Sequence, residues 1–272
     1  MEKQNRVSIL GCGWLGLPLA EKLVANGYQV YGSTTTSEKQ ELIRQKSIQP
    51  FLINLSDTST EENLEKFLTT DFLVISFPPR LRAGGESLYL PQIQKLFTAL
   101  EHSPVQEVLF ISSTSVYRDV NGIVTEDNLE AIIKESPLYQ AEVLLQSSSS
   151  FKTYILRFGG LIGGNRHPGR FLAGKTEVPQ PGAPVNLIHL DDCLEICTQI
   201  IENSLQQNEV FNAVADQHPS RKEFYTAAAN NLGLTPPQFA GTNNPQNKII
   251  SNEKIKATLK YEFIHPDPMF FF

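Results

Sequence analysis

The chain has 272 residues, 23 basic against 29 acidic side chains for a formal charge of −6, and 40% hydrophobic residues. That length buries a sizeable core unaided; the composition excludes intrinsic disorder, and the acidic balance argues against nucleic acid as the main partner. No apolar run nears the ~20 residues of a membrane helix, residues 1–6 lead into a strand pattern rather than a signal-peptide core, and Cys12, Cys193 and Cys197 lack metal-ligand spacing, so the expectation is a cytoplasmic protein with no structural disulfide, no metal and no membrane partner.

Residues 6–10 are apolar and β-branched, and Gly11-Cys12-Gly13 breaks the run. Leu15, Leu19 and Leu23 then recur at helical spacing, with Asn26-Gly27 as the stop. A second strand is predicted over 28–32 and a short polar-faced helix over 38–46. Further strands are predicted over 51–55, 72–77 and 108–111, with a helix over 88–100 ahead of the last. The pattern over 131–146 reads as a helix, in which Ser136-Pro137 can delay the start. A sixth strand follows over 151–158. Strand and helix alternating in this way predict an α/β fold with a parallel, doubly wound sheet.

After residue 158 the pattern changes. Residues 159–184 are rich in Gly, Pro, Arg and His without a clear period. A short strand is predicted over 185–190, and Asp191-Asp192 cap a helix to about residue 202. A strand over 210–214, a helix over 220–232, a Pro/Asn-rich loop and short elements at 248–251 and 253–259 complete the chain.

Gly11-Cys12-Gly13-Trp14-Leu15-Gly16 fits G-x-G-x-x-G between a predicted strand and helix. The first glycine permits a tight turn, the second lets the backbone approach a pyrophosphate, and the third lets helix and strand pack closely. Helix N-terminal amides then face the anion. Gly11, Gly13, Trp14, Leu15 and Gly16 are therefore the expected cofactor loop of a Rossmann-type fold. Trp14 either lines the cofactor groove or packs on the sheet edge. The expected division is a dinucleotide-binding domain of 1–158, with 185–214 returning to it, and a small C-terminal substrate lobe of 159–184 and 215–272.

A carboxylate closing the second strand would bond the adenosine ribose and repel a 2′-phosphate. Here Ser33, Thr34, Thr35 and Thr36 follow Gly32, and no acid appears before Glu38. The hydroxyls of Ser33, Thr34 and Thr35, with Lys39, suit a phosphate, so NADP is expected over NAD. One of these hydroxyls also serves to cap the next helix.

At Ile111-Ser112-Ser113-Thr114-Ser115-Val116-Tyr117 the chain resembles the extended short-chain dehydrogenase/reductases, which include nucleotide-sugar epimerases and dehydratases. Leu156 to Gly163, Val185 to Asp192 and Val210 to Val214 carry the same resemblance over nearly the whole chain. It implies that Ser113 bonds the reacting oxygen, where a donor stabilises a developing alkoxide; read from the residues alone, Ser113 also suits a strand end that satisfies loop backbone. The family's Tyr-x-x-x-Lys dyad is missing. Aligning Ala141-Glu142 puts Lys134 at the tyrosine position and Leu138 at the lysine position, while Val143 stands four residues after Tyr139. The chain thus resembles an atypical, NAD-dependent epimerase/dehydratase-like subgroup, in which Tyr139 or Lys134 substitutes for the missing acid, or is ordinary helix packing and a solvated charge.

Arg166, His167, Arg170 and Lys175, after the sixth strand, form either a cationic site for a carboxylate or phosphate or a solvated basic loop. His189 beside Asp191 reads as a relay or as a packed strand end beside a helix cap. The expected function is a nicotinamide-dependent reductase or epimerase/dehydratase-like enzyme on a small anionic substrate, the alternative being a non-catalytic NADP-binding sensor or scaffold.

Overall fold

The structure, a computed structural model, describes residues 6–79, 86–203, 205–241 and 247–272. β1 (Arg6–Leu10) buries Val7, Ile9 and Leu10 and ends at Gly11, whose φ of 108° is open to glycine and strained for other residues. α1 (Gly16–Ala25) buries Gly16, Leu19, Ala20 and Leu23, the i, i+3, i+4, i+7 stripe of a helix lying on a sheet. β2 (Gln29–Thr34), α2 (Glu38–Gln45), β3 (Gln49–Leu52), α3 (Glu61–Phe67), β4 (Phe72–Ile75), α4 (Glu86–Glu101) and β5 (Glu107–Ser113) continue the alternation. Then come β6 (Gly122–Val124), α5 (Pro137–Gln146), β7 (Lys152–Phe158), β8 (Gly160–Ile162), α6 (Gly169–Leu172), β9 (Leu187–His189) and α7 (Leu190–Asn203). β10 (Glu209–Ala213), α8 (Arg221–Asn231), β11 (Lys248–Ile250) and α9 (Glu253–Leu259) complete the elements.

The large sheet is parallel and seven-stranded, in the order β10-β7-β5-β4-β1-β2-β3. Val7 stands opposite Val30 on one side and Phe72 on the other. Strand order reverses at β1, so the carboxyl end of β1 is the topological switch point, where ligands bind in such sheets. All four residues of β4 are buried, as expected of a strand covered on both faces. This is the Rossmann-type α/β fold that the alternation predicted.

Several boundaries differ from the sequence reading. The helix predicted over 131–146 begins only at Pro137, which lacks an N–H and suits a first helical position; Leu129–Ala131 form a separate 3₁₀ turn. The third strand starts at Gln49 and contains Pro50, tolerated because β3 is an edge strand. α3, β6 and β8 were not predicted, nor were the parallel pairings β6–β11 and β8–β9, although β9 falls within the strand predicted over 185–190 and β11 within the short element at 248–251. Three-residue strands carry too little alternation to register as a period.

Contacts divide the chain into two units. Met1–Ser112, Lys134–Leu156 and Cys197–Val210 form the first, which carries the glycine loop and the body of the large sheet. Ser113–Ile133, Arg157–Ile196 and Phe211–Phe272 form the second, with a core of Ile162, Val185, Leu187, Ala215, Phe224 and Phe271. No helix among the described residues is long and apolar enough to cross a membrane.

Packing within the first unit fixes the third glycine of the loop. A Cβ on Gly16 would lie 2.1 Å from the Gly11 carbonyl oxygen and 3.1 Å from Ile9. Backbone cannot yield as a flexible side chain can, so Gly16→Ala is expected to lower stability by about 1–3 kcal/mol, the usual range for overpacking. A shift of the urea midpoint at constant slope checks this.

Candidate functional site

The glycine loop is pinned to the end of β2. The Gly11 N–H donates to Ser33 Oγ at 2.9 Å, and the Cys12 N–H donates to the Ser33 carbonyl at 2.9 Å. The Gly13 N–H donates to the Gly11 carbonyl at 2.8 Å, and the Leu17 N–H reaches the Gly13 carbonyl at 3.1 Å. A Cβ on Gly11 would meet the Ser76 carbonyl oxygen at 2.7 Å, whereas a Cβ on Gly13 would have no neighbour within 4 Å. Packing therefore demands the first and third glycines, while the second borders open space, as close approach by a pyrophosphate requires. The start of α1 has no side-chain cap and no acid in its first turn, so its positive end is not neutralised locally. The cradle thus fits a dinucleotide. Trp14 is half-buried, and Leu15 is buried, so Leu15 offers the loop its backbone rather than its side chain.

Cys12 sits within the loop, half-buried. Burial pushes its thiol up to about 12, and its sulfur packs where a Cβ on Gly32 would lie 2.7 Å away.

At the end of β2 the predicted residues separate. Ser33 and Thr34 are buried: the Ser33 hydroxyl holds the glycine loop, and Thr34 Oγ1 accepts the Thr36 N–H at 3.2 Å. Thr35 and Lys39 are exposed, as are Thr36 and Ser37.

Ser113 closes β5, half-buried, its Oγ accepting the Ser115 N–H at 3.1 Å. A hydroxyl that accepts one bond retains a proton to donate. Tyr139 lies half-buried in the first turn of α5. Lys134 is exposed and precedes that helix, and Leu138 is 7% exposed. The lysine position of the dyad is therefore apolar in either alignment, buried Leu138 in one and exposed Val143 in the other.

Beside these lies a buried polar group that sequence reading missed. The Ser112 hydroxyl donates to Glu142 Oε1, and Glu142 is 1% exposed. Among the described residues the buried Tyr89 hydroxyl has no hydrogen-bond partner; burial, and then the charge of Glu142, push its phenol well above the ordinary range. No local spacing signals this group, because Ser112 and Glu142 are 30 residues apart.

The second unit holds its own buried network. Arg157 donates to the Tyr117 hydroxyl, which donates to Asn212 Oδ1 at 3.0 Å, and the Asn212 N–H donates to Glu126 Oε1 at 2.7 Å. Burial raises the Glu126 carboxyl. Tyr117→Phe leaves polar groups of Arg157 and Asn212 without this shared partner, so a stability loss of about 1–3 kcal/mol is expected in thermal or urea unfolding.

The basic loop also separates. Arg166, Arg170 and Lys175 are exposed. His167 Nδ1 accepts the Gly169 N–H at 3.1 Å, its Nε2 is 3.3 Å from Asn231 Oδ1, and its ring stands 5.8 Å from that of Phe272. A cavity of about 210 Å³ in the same unit is lined by Asp119, Asn186, Arg221, Tyr225 and Lys248 among others. A larger groove of about 600 Å³ in the first unit, between Leu64, Lys95 and His102, contains no residue of the glycine loop.

No protein-family model matches the chain. Protein YeeZ of Escherichia coli K12 is 37% identical over 271 residues, covering 97% of this chain and 98% of that protein. A Methylobacillus flagellatus protein described as an NAD-dependent epimerase/dehydratase superposes with a TM-score of 0.72 at 26% identity, over 97% of this chain and 94% of that one. UDP-glucuronic acid 4-epimerase from Bacillus cereus, in complex with NAD, superposes with a TM-score of 0.75 at 19% identity, over 95% and 94% of the two chains. At that identity the likeness is one of fold.

Proposed function

Because the chain belongs to the family of protein YeeZ, among the NAD-dependent epimerase/dehydratase-like proteins of short-chain dehydrogenase/reductase type, we propose that it is a nicotinamide-dependent reductase or epimerase-like enzyme acting on a small anionic substrate in the cytoplasm. The observation that carries this reading is the open face of Gly13 at the uncapped start of α1. A bound nicotinamide supplies the hydride donor or acceptor. The loop amides would hold its pyrophosphate, and Ser113 would donate a hydrogen bond to the reacting oxygen.

The substrate lobe in this reading consists of 159–184 and 215–272. Arg166, Arg170 and Lys175 supply charge for a carboxylate or phosphate; His167, tied to Asn231, orders the loop rather than meeting the ligand. The cavity bearing Arg221 and Lys248 is of a size for one anionic group, since whole small-molecule sites run to roughly 300–1,000 Å³. The Bacillus cereus neighbour acts on a UDP-sugar, a substrate class rich in such groups.

NADP is the preferred cofactor in this proposal, through exposed Thr35 and Lys39 with no carboxylate before Glu38. Calorimetric titration at one ionic strength is expected to show NADP binding more tightly than NAD, since phosphate contacts are screened by salt. Tighter NAD binding overturns the assignment of Thr35 and Lys39. Binding of neither overturns the whole reading.

A second reading, a cofactor-binding sensor or scaffold, is favoured by one observation, buried Leu138 in the lysine position of the dyad. Screening the tighter complex for hydride transfer separates the two. Sustained turnover of any carbonyl or alcohol substrate supports the enzyme, and conformational response to cofactor without turnover supports the sensor.

A further inference from the structure

The second unit brings together two histidines and a carboxylate that are far apart in the chain. His189 ends β9, Asp191 lies in the first turn of α7, and His265 belongs to the tail, 74 residues beyond Asp191. We propose that His189, Asp191 and His265 bind a divalent transition metal ion of the zinc class, which clips the C-terminal tail to the β9–α7 junction.

Asp191 Oδ2 lies 2.9 Å from His265 Nε2 and 3.3 Å from His189 Nδ1, and one ligand atom from each residue falls within 4.8 Å of the others. Ligands bound at about 2.0–2.2 Å around one zinc ion stand roughly 3 Å apart, so the two short edges are already at coordination spacing. Two imidazoles and a carboxylate select zinc, cobalt or nickel over magnesium and calcium, which prefer oxygen.

The ligands are held in place by their surroundings. Asp192 is fully buried; its Oδ1 accepts the Tyr261 hydroxyl and the Ile264 N–H at 2.7 Å each, and its Oδ2 accepts the His265 N–H at 3.1 Å. This carboxylate fixes the backbone that presents His265. A Cβ on Gly163 would lie 2.8 Å from His189 Nε2, so the glycine gives the ring its room, and the Phe271 ring closes on it at 5.4 Å. Such supporting shells orient ligands before the ion arrives.

The donor atoms are also placed to share a cation. The Asp191 N–H points to His189 Nδ1 at 3.3 Å, so in that arrangement Nδ1 carries a lone pair, and the Asp191 carboxylate faces it at 3.3 Å. A metal ion bound between them would take the place that an Nδ1 proton fills in the other tautomer. The Asp191 side chain is 54% exposed, which leaves an entry path and room for water as a further ligand.

The test is calorimetric titration of the whole chain, stripped with a chelator, with zinc chloride and separately with magnesium chloride. One zinc per chain and no magnesium is the expected result. His265→Ala and Asp191→Asn should each weaken zinc binding at least about tenfold, and Asp192→Asn by about 10–100-fold through the supporting shell. His102→Ala, outside the cluster, should leave it unchanged. Zinc should also raise the melting temperature of the parent and not of His265→Ala, since a ligand stabilises only the state it binds. Circular dichroism confirms folding, and visible absorption of the cobalt complex gives a second signature, present in the parent and lost in Asp191→Asn. Absence of stoichiometric zinc binding, or parental affinity in both folded ligand variants, overturns the proposal.

Discussion

Gly13→Val is expected to weaken dinucleotide binding by about a hundredfold or more while the chain stays folded. Loss of two charge-assisted hydrogen bonds, each about 1.5–3 kcal/mol, accounts for that factor. The variant isolates binding from stability because the three glycines differ. Gly11 has positive φ and would press a side chain onto the Ser76 carbonyl; Gly16 would press one onto Gly11 itself. Gly13 is exposed and a Cβ there touches nothing within 4 Å, so an effect on stability within about 0.5 kcal/mol is expected, as at ordinary surface positions. Calorimetry with NAD and NADP, beside an unfolding curve, reads both quantities. A folded variant with parental affinity would show that the pyrophosphate does not lie on this loop.

The loop was legible because its signal is local. Three glycines within six residues, a buried strand before and a Leu15–Leu19–Leu23 stripe after, state the geometry without tertiary knowledge. The late start of α5 was legible for the same reason, through Pro137. The hydroxyls after Gly32 were less so. Composition shows four side chains able to meet a phosphate, yet Ser33 turns inward because the Gly11 amide needs an acceptor there. Contacts between distant segments left no periodic trace: Glu142 beneath Ser112, Asn212 against Tyr117, and His265 against Asp191 are separated by 30, 95 and 74 residues. The three-residue β8, and its pairing with β9, are likewise defined by the partner strand rather than by a local pattern.

Ser113→Ala is expected to slow the chemical step by a factor on the order of 10²–10³, the usual consequence of removing an oxyanion donor, with cofactor affinity unchanged. The hydroxyl accepts the Ser115 N–H at 3.1 Å and keeps its own proton to donate. This is also the competing account of the residue: a serine that merely ends a strand would, when replaced, alter stability and leave the chemical step alone. Single-turnover rates separate the two, because the structural role predicts a shifted unfolding midpoint with an unchanged rate. Direction adds a second constraint. Four residues after Tyr139 stands Val143, where the family's dyad has a lysine whose charge supports a phenolate base. Without that cation the site lacks support for a base, so activity should favour carbonyl reduction, which needs a donor, over alcohol oxidation, which needs a base. Tyr139→Phe tests whether Tyr139 is that donor: it should depress reduction if so and leave the rate untouched if the ring only packs in α5. If both variants bind cofactor normally and reduce substrate at the parental rate, neither residue is catalytic, and the buried Ser112–Glu142 pair with Tyr89 becomes the next polar group to vary.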